Sequence, residues 1–538
     1  MSANTELDTR HTDSQPEPAA PGRLSHRQIL TIMSGLIIAM LLAQLDNMIV
    51  SPALPTIVGE LGGLEHLSWV TTAYILATTS ATLIWGKLGD LFSRKTMFMS
   101  SIVIFLIGSA LSGQSHTMTE LIGFRAIQGI GAGGLMVGVM SIMAVIIPPA
   151  ERGKYTGYMM SVMPVAMIGG PLVGGFITDH YSWRWTFYVN LPLGAIALAV
   201  IALTMKLPVP PRAQATIDWL GAALVVVWTT SLVLVTSWGG TQYAWSSPTI
   251  MSLIGLTVVG FVAFLFAESR AAQPILPLDV FRNVNFTLST TLAFIVGFAL
   301  FGGMVFLPQF QQYVQGASAT NSGLLLLPLM LGVMVMSMAS GQIVSRTGKY
   351  RVFPIVGSVI MTVGLALMAT FAIDTSRTTS AIYMVVLGLG MGCLMQITSL
   401  IGQNSVAIKD IGAATGAQTF IRSMGGSIGV SLMGSLYSSR LVASLSEQLP
   451  GAGDKLASGG SGTLTPATLH AMPAAVQNAF KVAVTHGITG VFFWSAVASI
   501  AGIVVSLFIK QVALRGIEVK QAAHDKSVEQ GDGAAALG

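Results

Sequence analysis

Charge is scarce in this chain: Asp, Glu, Lys and Arg make up 9% of its 538 residues, where a soluble globular protein carries roughly a quarter. So few charged groups cannot cover a water-soluble fold of this length. Cysteine occurs once, as Cys393, so neither an intrachain disulfide nor a cysteine-based metal site can form, and the apolar neighbours suit a buried, inert thiol. No GxxxxGK[ST] loop is present, which removes ATP hydrolysis by this chain. The eight His residues fall outside the apolar runs or at their edges, and no paired carboxylates or His/Cys clusters lie within the runs. That pattern argues against a membrane acyltransferase, protease or metal enzyme, and no cofactor is expected.

Apolar residues are plentiful instead, at 52%, in runs of the ~20 residues that a helix needs to cross hydrocarbon. Runs bounded by charge, Gly or Pro predict fourteen spans: 29–50, 67–86, 97–114, 120–147, 155–177, 186–206, 217–237, 248–267, 286–310, 321–343, 352–372, 379–403, 412–437 and 487–509. The formal charge of +5 has no basic face or motif to direct it at nucleic acid. Its distribution bears on topology: with both termini in the cytosol, twenty of the 27 Lys and Arg residues face inward and five outward, while Arg125 and Arg422 lie within spans.

Residues 1–28 lack an apolar core and read as a disordered cytosolic tail, as do residues 511–538. A Pro-rich break (Pro208, Pro210, Pro211) follows span six, and an external loop over 441–485 is rich in Gly and Ser around Gly451 to Gly462 and then weakly helical near Thr468 to Val484. A Gly, an apolar residue two positions later and a basic turn recur after the second span (Gly86 to Lys95) and after the tenth (Gly341 to Arg351). Such an internal repeat predicts two six-span halves, 29–206 and 285–510, with residues 207–284 supplying two inserted helices.

Five stretches stand out. The turn after span two reads Gly86-Lys-Leu88-Gly89-Asp90-Leu-Phe-Ser93-Arg94-Lys95. Its glycines let helix ends approach, and Asp90 can accept hydrogen bonds from a helix N-terminus or an Arg; a plain solvated turn is the alternative. Span four opens with Arg125-Ala-Ile-Gln128-Gly129-Ile-Gly131-Ala-Gly133. At a rise of ~1.5 Å per residue Arg125 sits roughly 8 Å below the outer face, at the depth of Asp46 in Leu45-Asp46-Asn47 on span one. An Arg in hydrocarbon has to face protein or water. Span five contains Gly169-Gly170-Pro171-Leu-Val-Gly174-Gly175, and span six is preceded by Trp183-Arg184-Trp185-Thr-Phe187-Tyr-Val-Asn190-Leu-Pro192.

These stretches resemble the fourteen-span drug:proton antiporters of the major facilitator superfamily, over about residues 29 to 510. The turn is similar to the superfamily's GxLxDxxGRK signature, with Ser93 in place of the second Gly; the others are similar to the RxxQGxGxG, LDxTxVxxALP, GxxxGPxxGG and WRWxFxxNxPxG motifs of that family. The resemblance implies an all-α integral membrane protein of the major facilitator fold: two six-helix bundles plus two inserted helices, multi-pass in a bacterial plasma membrane. It implies exchange of protons for lipophilic, often cationic, small molecules, with membrane lipid the other partner and neither nucleic acid nor an obligate protein partner in view. An exporter dedicated to one metabolite, antibiotic or lipid fits the same motifs, and a membrane enzyme or lipid-binding scaffold is the rival from another class.

On this reading Asp46 and Arg125 couple protons, although a static ion pair that only fixes packing remains open. Asp90 and Arg94 latch the inner gate, Gly170 and Pro171 seal span five, and Arg422, roughly 15 Å deep on span thirteen, gates or braces, with a carbonyl, a Gln such as Gln396 or an anionic substrate group as its partner. Tyr74, Gln128, Phe306, Gln309 and Gln396 are candidate substrate contacts.

Overall fold

The computed structural model describes residues 26–61, 67–147, 162–205, 217–240, 242–317, 324–449 and 472–514, with 155, 156, 158, 159, 321 and 469. The terminal tails up to residue 25 and from 515, the Pro-rich break and the middle of the 441–485 loop lie outside these residues.

Among the described residues fourteen helices reach fifteen residues or more: α1 (His26–Ile49), α2 (Leu67–Leu91), α3 (Arg94–Gly113), α4 (Met118–Ile146), α5 (Val162–His180), α6 (Asn190–Thr204), α7 (Trp219–Trp238), α8 (Pro248–Arg270), α9 (Val284–Gln309), α10 (Leu327–Thr347), α11 (Val352–Met368), α12 (Arg377–Asn404), α13 (Ile411–Gln448) and α14 (Ala474–Leu507). Nine helical stretches among the described residues are both long and apolar enough to cross a membrane. Local chemistry sets several starts. Ser93, Thr117, Asp218, Ser247 and Ser376 each accept from a backbone N–H three residues on, and Asn283 caps α9 through Asn285 N and Phe286 N. Gly348 stops α10 in the left-handed conformation at φ 68°.

Two span boundaries are corrected. α13 runs on to Gln448 and α14 starts at Ala474, so helix occupies both ends of the 441–485 stretch, the second of them within the part expected to be weakly helical and there continuous with the last span. Hydropathy marks where oil ends, and a helix with a buried face continues into water; Leu441, Leu445, Ala479 and Phe480 are all buried.

Packing repeats between the halves. In the first, α1 packs on α5 and α6, and α4 on α2 and α3; in the second, α9 packs on α13 and α14, and α12 on α10 and α11. Each half closes its own apolar core. The inserted pair α7–α8 is not a bystander, since α7 lies against both α2 and α13 and so bridges the two halves. Ser80 and Thr229 hydroxyls meet at 2.7 Å, Thr236 and Ser427 at 2.6 Å, and Trp228 stands edge-on to Phe420 at 5.4 Å. α8 turns an apolar face outward, with Val259 66% exposed, as a lipid-facing helix does.

Candidate functional site

Three glycines wedge α4 between its neighbours. A Cβ at Gly129 or Gly133 would collide with the carbonyls of Tyr74 and Thr78 on α2, and one at Gly131 with Phe105 on α3. This close approach carries Arg125 into the half and up against α1. Arg125 Nη1 donates to Asp46 Oδ2 at 2.5 Å and to Gln128 Oε1 at 2.8 Å, while its Nε reaches the Val70 carbonyl at 3.4 Å. The other oxygen, Asp46 Oδ1, accepts from Gln128 Nε2 and Asn190 Nδ2, both at 2.8 Å. Donors from α4 and α6 thus engage both carboxylate oxygens.

The pair is sealed. Asp46 is 0% and Arg125 1% exposed, and among the described residues no other ion pair is buried on both sides. The Tyr74 ring lies 4.2 Å and the Phe187 ring 5.8 Å from the guanidinium carbon, so cation–π attraction supplements the carboxylate. Two polar groups not among the expected site residues join the pair: Asn190, from the start of α6, and Ser109, which accepts from Asn190 at 2.9 Å and donates to the Phe187 carbonyl at 2.8 Å. The signal for Asn190 was its place in the Trp183-to-Pro192 stretch. Its Oδ1 is buried with no partner among the described residues.

Above the pair Glu60, in the short helix Leu54–Leu61, accepts from Arg184 at 2.5 Å and from Trp183 Nε1 at 2.7 Å, and Arg184 also donates to the Ser115 carbonyl at 3.2 Å. These bonds hold the Glu60 carboxyl below the ordinary glutamate range. Gly170 and Gly174 bring α5 onto the end of α1, where an added Cβ would strike Met48 and the Ile49 carbonyl; Gly169 and Gly175 face open space. α5 therefore grips α1 two residues past Asp46, and Pro171 lies inside that helix.

At the opposite end of the bundle Asp90 Oδ1 accepts from Gly412 N at 2.9 Å and Oδ2 from Ala413 N at 2.7 Å. Arg94 Nη2 donates to Asp90 Oδ1 at 2.5 Å and to the Ile408 carbonyl at 3.1 Å. Gly86 and Gly412 cross with no room for a Cβ on either, so helices of opposite halves are in backbone contact there. The repeat does not reproduce this clasp, because Ser345 stands where Asp90 would and its hydroxyl donates to the Gln342 carbonyl of its own helix.

Other candidates separate. Tyr74 and Gln128, read as substrate contacts, are buried in the shell of the Asp46–Arg125 pair. Phe306 is 3% exposed and packs on Tyr437 at 5.4 Å, in the core of the second half. Gln309 is half-buried where α9 gives way to a π-helical turn, Phe310–Val314. Gln396 and Arg422 share a cavity of about 30 Å³ between the halves, walled by Met140, Met143 and Thr156 on one side. Among the described residues no three His, Cys, Asp or Glu side chains gather as a metal site.

The model of the Major Facilitator Superfamily matches residues 36–430. An uncharacterized MFS-type transporter of Mycobacterium tuberculosis is 39% identical over 93% of this chain and 72% of its own length. The multidrug transporter protein MdtP of Bacillus subtilis is 35% identical over 92% of this chain and 95% of its own. In fold, the crystal structure of the human organic anion transporter MFSD10 (TETRAN) aligns with a TM-score of 0.61 at 12% identity, covering 89% of this chain and 99% of that one. With helices that pair alike in two halves and these likenesses across most of its length, the chain belongs to the Major Facilitator Superfamily, a family of multi-pass membrane transporters and not of enzymes.

Proposed function

We propose that this protein exports lipophilic small molecules across a bacterial plasma membrane in exchange for protons, with both termini in the cytosol. The two halves, 29–206 and 285–510, rock about the interface that α2, α4, α7 and α13 form. Relatives named a multidrug transporter and a multidrug resistance protein, at 35% and 33% identity over 92% and 90% of this chain, support an efflux direction.

The observation that carries proton coupling is the sealed Asp46–Arg125 pair beside the unpartnered Asn190 Oδ1. A proton arriving at Asp46 turns one carboxylate oxygen into a donor, which then needs an acceptor. Rotation of the Asn190 amide presents one, so the site can hold the charged and the neutral acid in turn. Arg125 keeps contacts to Gln128 and Val70 in both forms. Asp90 with Arg94 holds the cytosolic gate, and Gly170 with Pro171 keeps α5 tight on α1.

The cavity chemistry favours a neutral or anionic cargo over the cations that the resemblance implies. The cavity between the halves carries Arg422 and no carboxylate, so a cation finds no counter-charge there.

The test is exchange in vesicles containing the purified chain. Lipophilic dye should leave the interior as an imposed proton gradient runs down, and Asp46→Asn should abolish the exchange while Asp46→Glu keeps part of it. Full proton-driven exchange in Asp46→Asn would leave the pair a packing element only, and turnover of lipid without proton flux would end the transporter reading.

A further inference from the structure

Arg422 lies about 16 Å up α13 from Ile411, near the middle of the bilayer. Its stem crosses Gly297 on α9, where a Cβ would meet the Arg422 Cγ and carbonyl. Among the described residues it has no ion pair and no hydrogen-bond acceptor. An intramembrane guanidinium without a counter-ion is costly and is retained where something pairs with it. The other intramembrane cation, Arg125, is paired with Asp46.

The surroundings say what would pair with Arg422. Its cavity is walled by both halves: Met140 and Met143 from α4 and Thr156 on one side, Gln396 and Ser399 of α12 with Arg422 on the other. Gln396 is 3% exposed and, like Arg422, makes no hydrogen bond to a described residue. A planar five-donor fork and an amide thus converge on one space with no acidic group in it. That set matches a carboxylate, sulfonate or phosphate, which a guanidinium takes through two parallel hydrogen bonds. The methionine thioethers opposite suit an apolar body of variable shape. At about 30 Å³ the space holds water-sized groups only, so in this conformation, with the Asp90 clasp closed, the site is collapsed and opens as the halves separate.

We infer that Arg422 and Gln396 form the headgroup site for an amphipathic anion, making the cargo a lipophilic acid. This rests on the exporter reading for its transport consequence but not for binding. The experiment compares three fluorescent probes on the purified full chain and in vesicles: the anion 8-anilinonaphthalene-1-sulfonate, the neutral N-phenyl-1-naphthylamine and the cation ethidium. Wild type should bind the sulfonate about tenfold or more tighter than the neutral naphthylamine, roughly what one charge-assisted contact supports. Arg422→Gln should collapse that ratio to near one, Arg422→Lys should keep part of it, and Gln396→Leu, which leaves the buried cation in place, should reduce it about threefold.

Equal ratios in wild type and Arg422→Gln, or ethidium preferred by wild type, overturn the inference. If Arg422→Gln does not fold, the ratio in Gln396→Leu and Arg422→Lys decides. Arginine-dependent sulfonate binding with no gradient-driven movement of any probe would sink the exporter reading and leave the site standing. Movement of the neutral and cationic probes alone would do the reverse.

Discussion

Asp90 caps a helix of the opposite half: its two carboxylate oxygens take the Gly412 and Ala413 amide protons at 2.9 and 2.7 Å, across 322 and 323 residues of chain. An anion at a helix N-terminus satisfies otherwise orphaned N–H groups and meets the positive end of the helix dipole. Bonds to a charged group contribute about 1.5–3 kcal/mol each. Asp90→Ala should therefore shift the equilibrium toward the cytosol-open form by about tenfold or more, with Asp90→Asn intermediate. In a Cys393→Ser, Ser399→Cys background the readout is the alkylation rate of position 399, which lines the closed cavity; an unchanged rate would mean that Asp90 is not a latch.

Adjacent glycines on α5 separate a seam from empty space. Gly170→Ala drives a methyl into Met48, next to the Asp46 segment, whereas Gly169→Ala meets nothing within 4 Å. Overpacking of this kind costs about 1–3 kcal/mol, and an exposed change stays within roughly 0.5 kcal/mol. Thermal unfolding in detergent should show the first variant destabilised and the second not, and proton-driven dye exchange should follow the same order.

Asn190 tests how Asp46 holds a proton. Asn190→Leu removes the donor to Asp46, the contact to Ser109 and the spare acceptor, while leaving the Arg125–Asp46 bond. Exchange should fall about tenfold or more, as expected for loss of about 1–3 kcal/mol in one protonation state, and Asn190→Gln should recover part of it. Arg125→Ala strands a buried carboxylate, which costs about 3–5 kcal/mol, and its effect should appear in unfolding as well as in transport.

The Glu60 clamp gives a pH signature with a definite sign. Its carboxyl titrates below the ordinary glutamate range because Arg184 and Trp183 bond to the charged form. A depressed carboxylate contributes fully above its unfolded value, and the contribution is lost as the pH falls through the folded value. Hydrogen-exchange protection of residues 54–61 and 182–188 should be flat near neutrality and drop only in acid below the usual glutamate titration. Glu60→Gln, lacking the charge, should show lower protection with no such drop. The effect is small, since Glu60 is 47% exposed.

Much of the architecture is legible in sequence because it follows from local quantities. A run of about twenty apolar residues requires a membrane helix whatever its neighbours, and the glycines at 86, 129 and 170 announce close crossings. Hydropathy did not reveal the true ends of α13 and α14, which depend on a buried face that continues beyond the oil. It was equally silent on α7, whose Thr229 and Thr236 reach opposite halves.

The sequence by itself determined a membrane protein of about fourteen helices, with a carboxylate and a guanidinium at one depth, because insertion and depth are set by composition and rise per residue. Only the tertiary structure decided partners. Asn190 donates to Asp46, Tyr74 and Gln128 turn inward to the pair, and Arg422 has none of the described residues as a counter-ion. Those choices depend on the rotation of each helix about its axis and on which helices a glycine lets approach, and neither is fixed until the bundle closes.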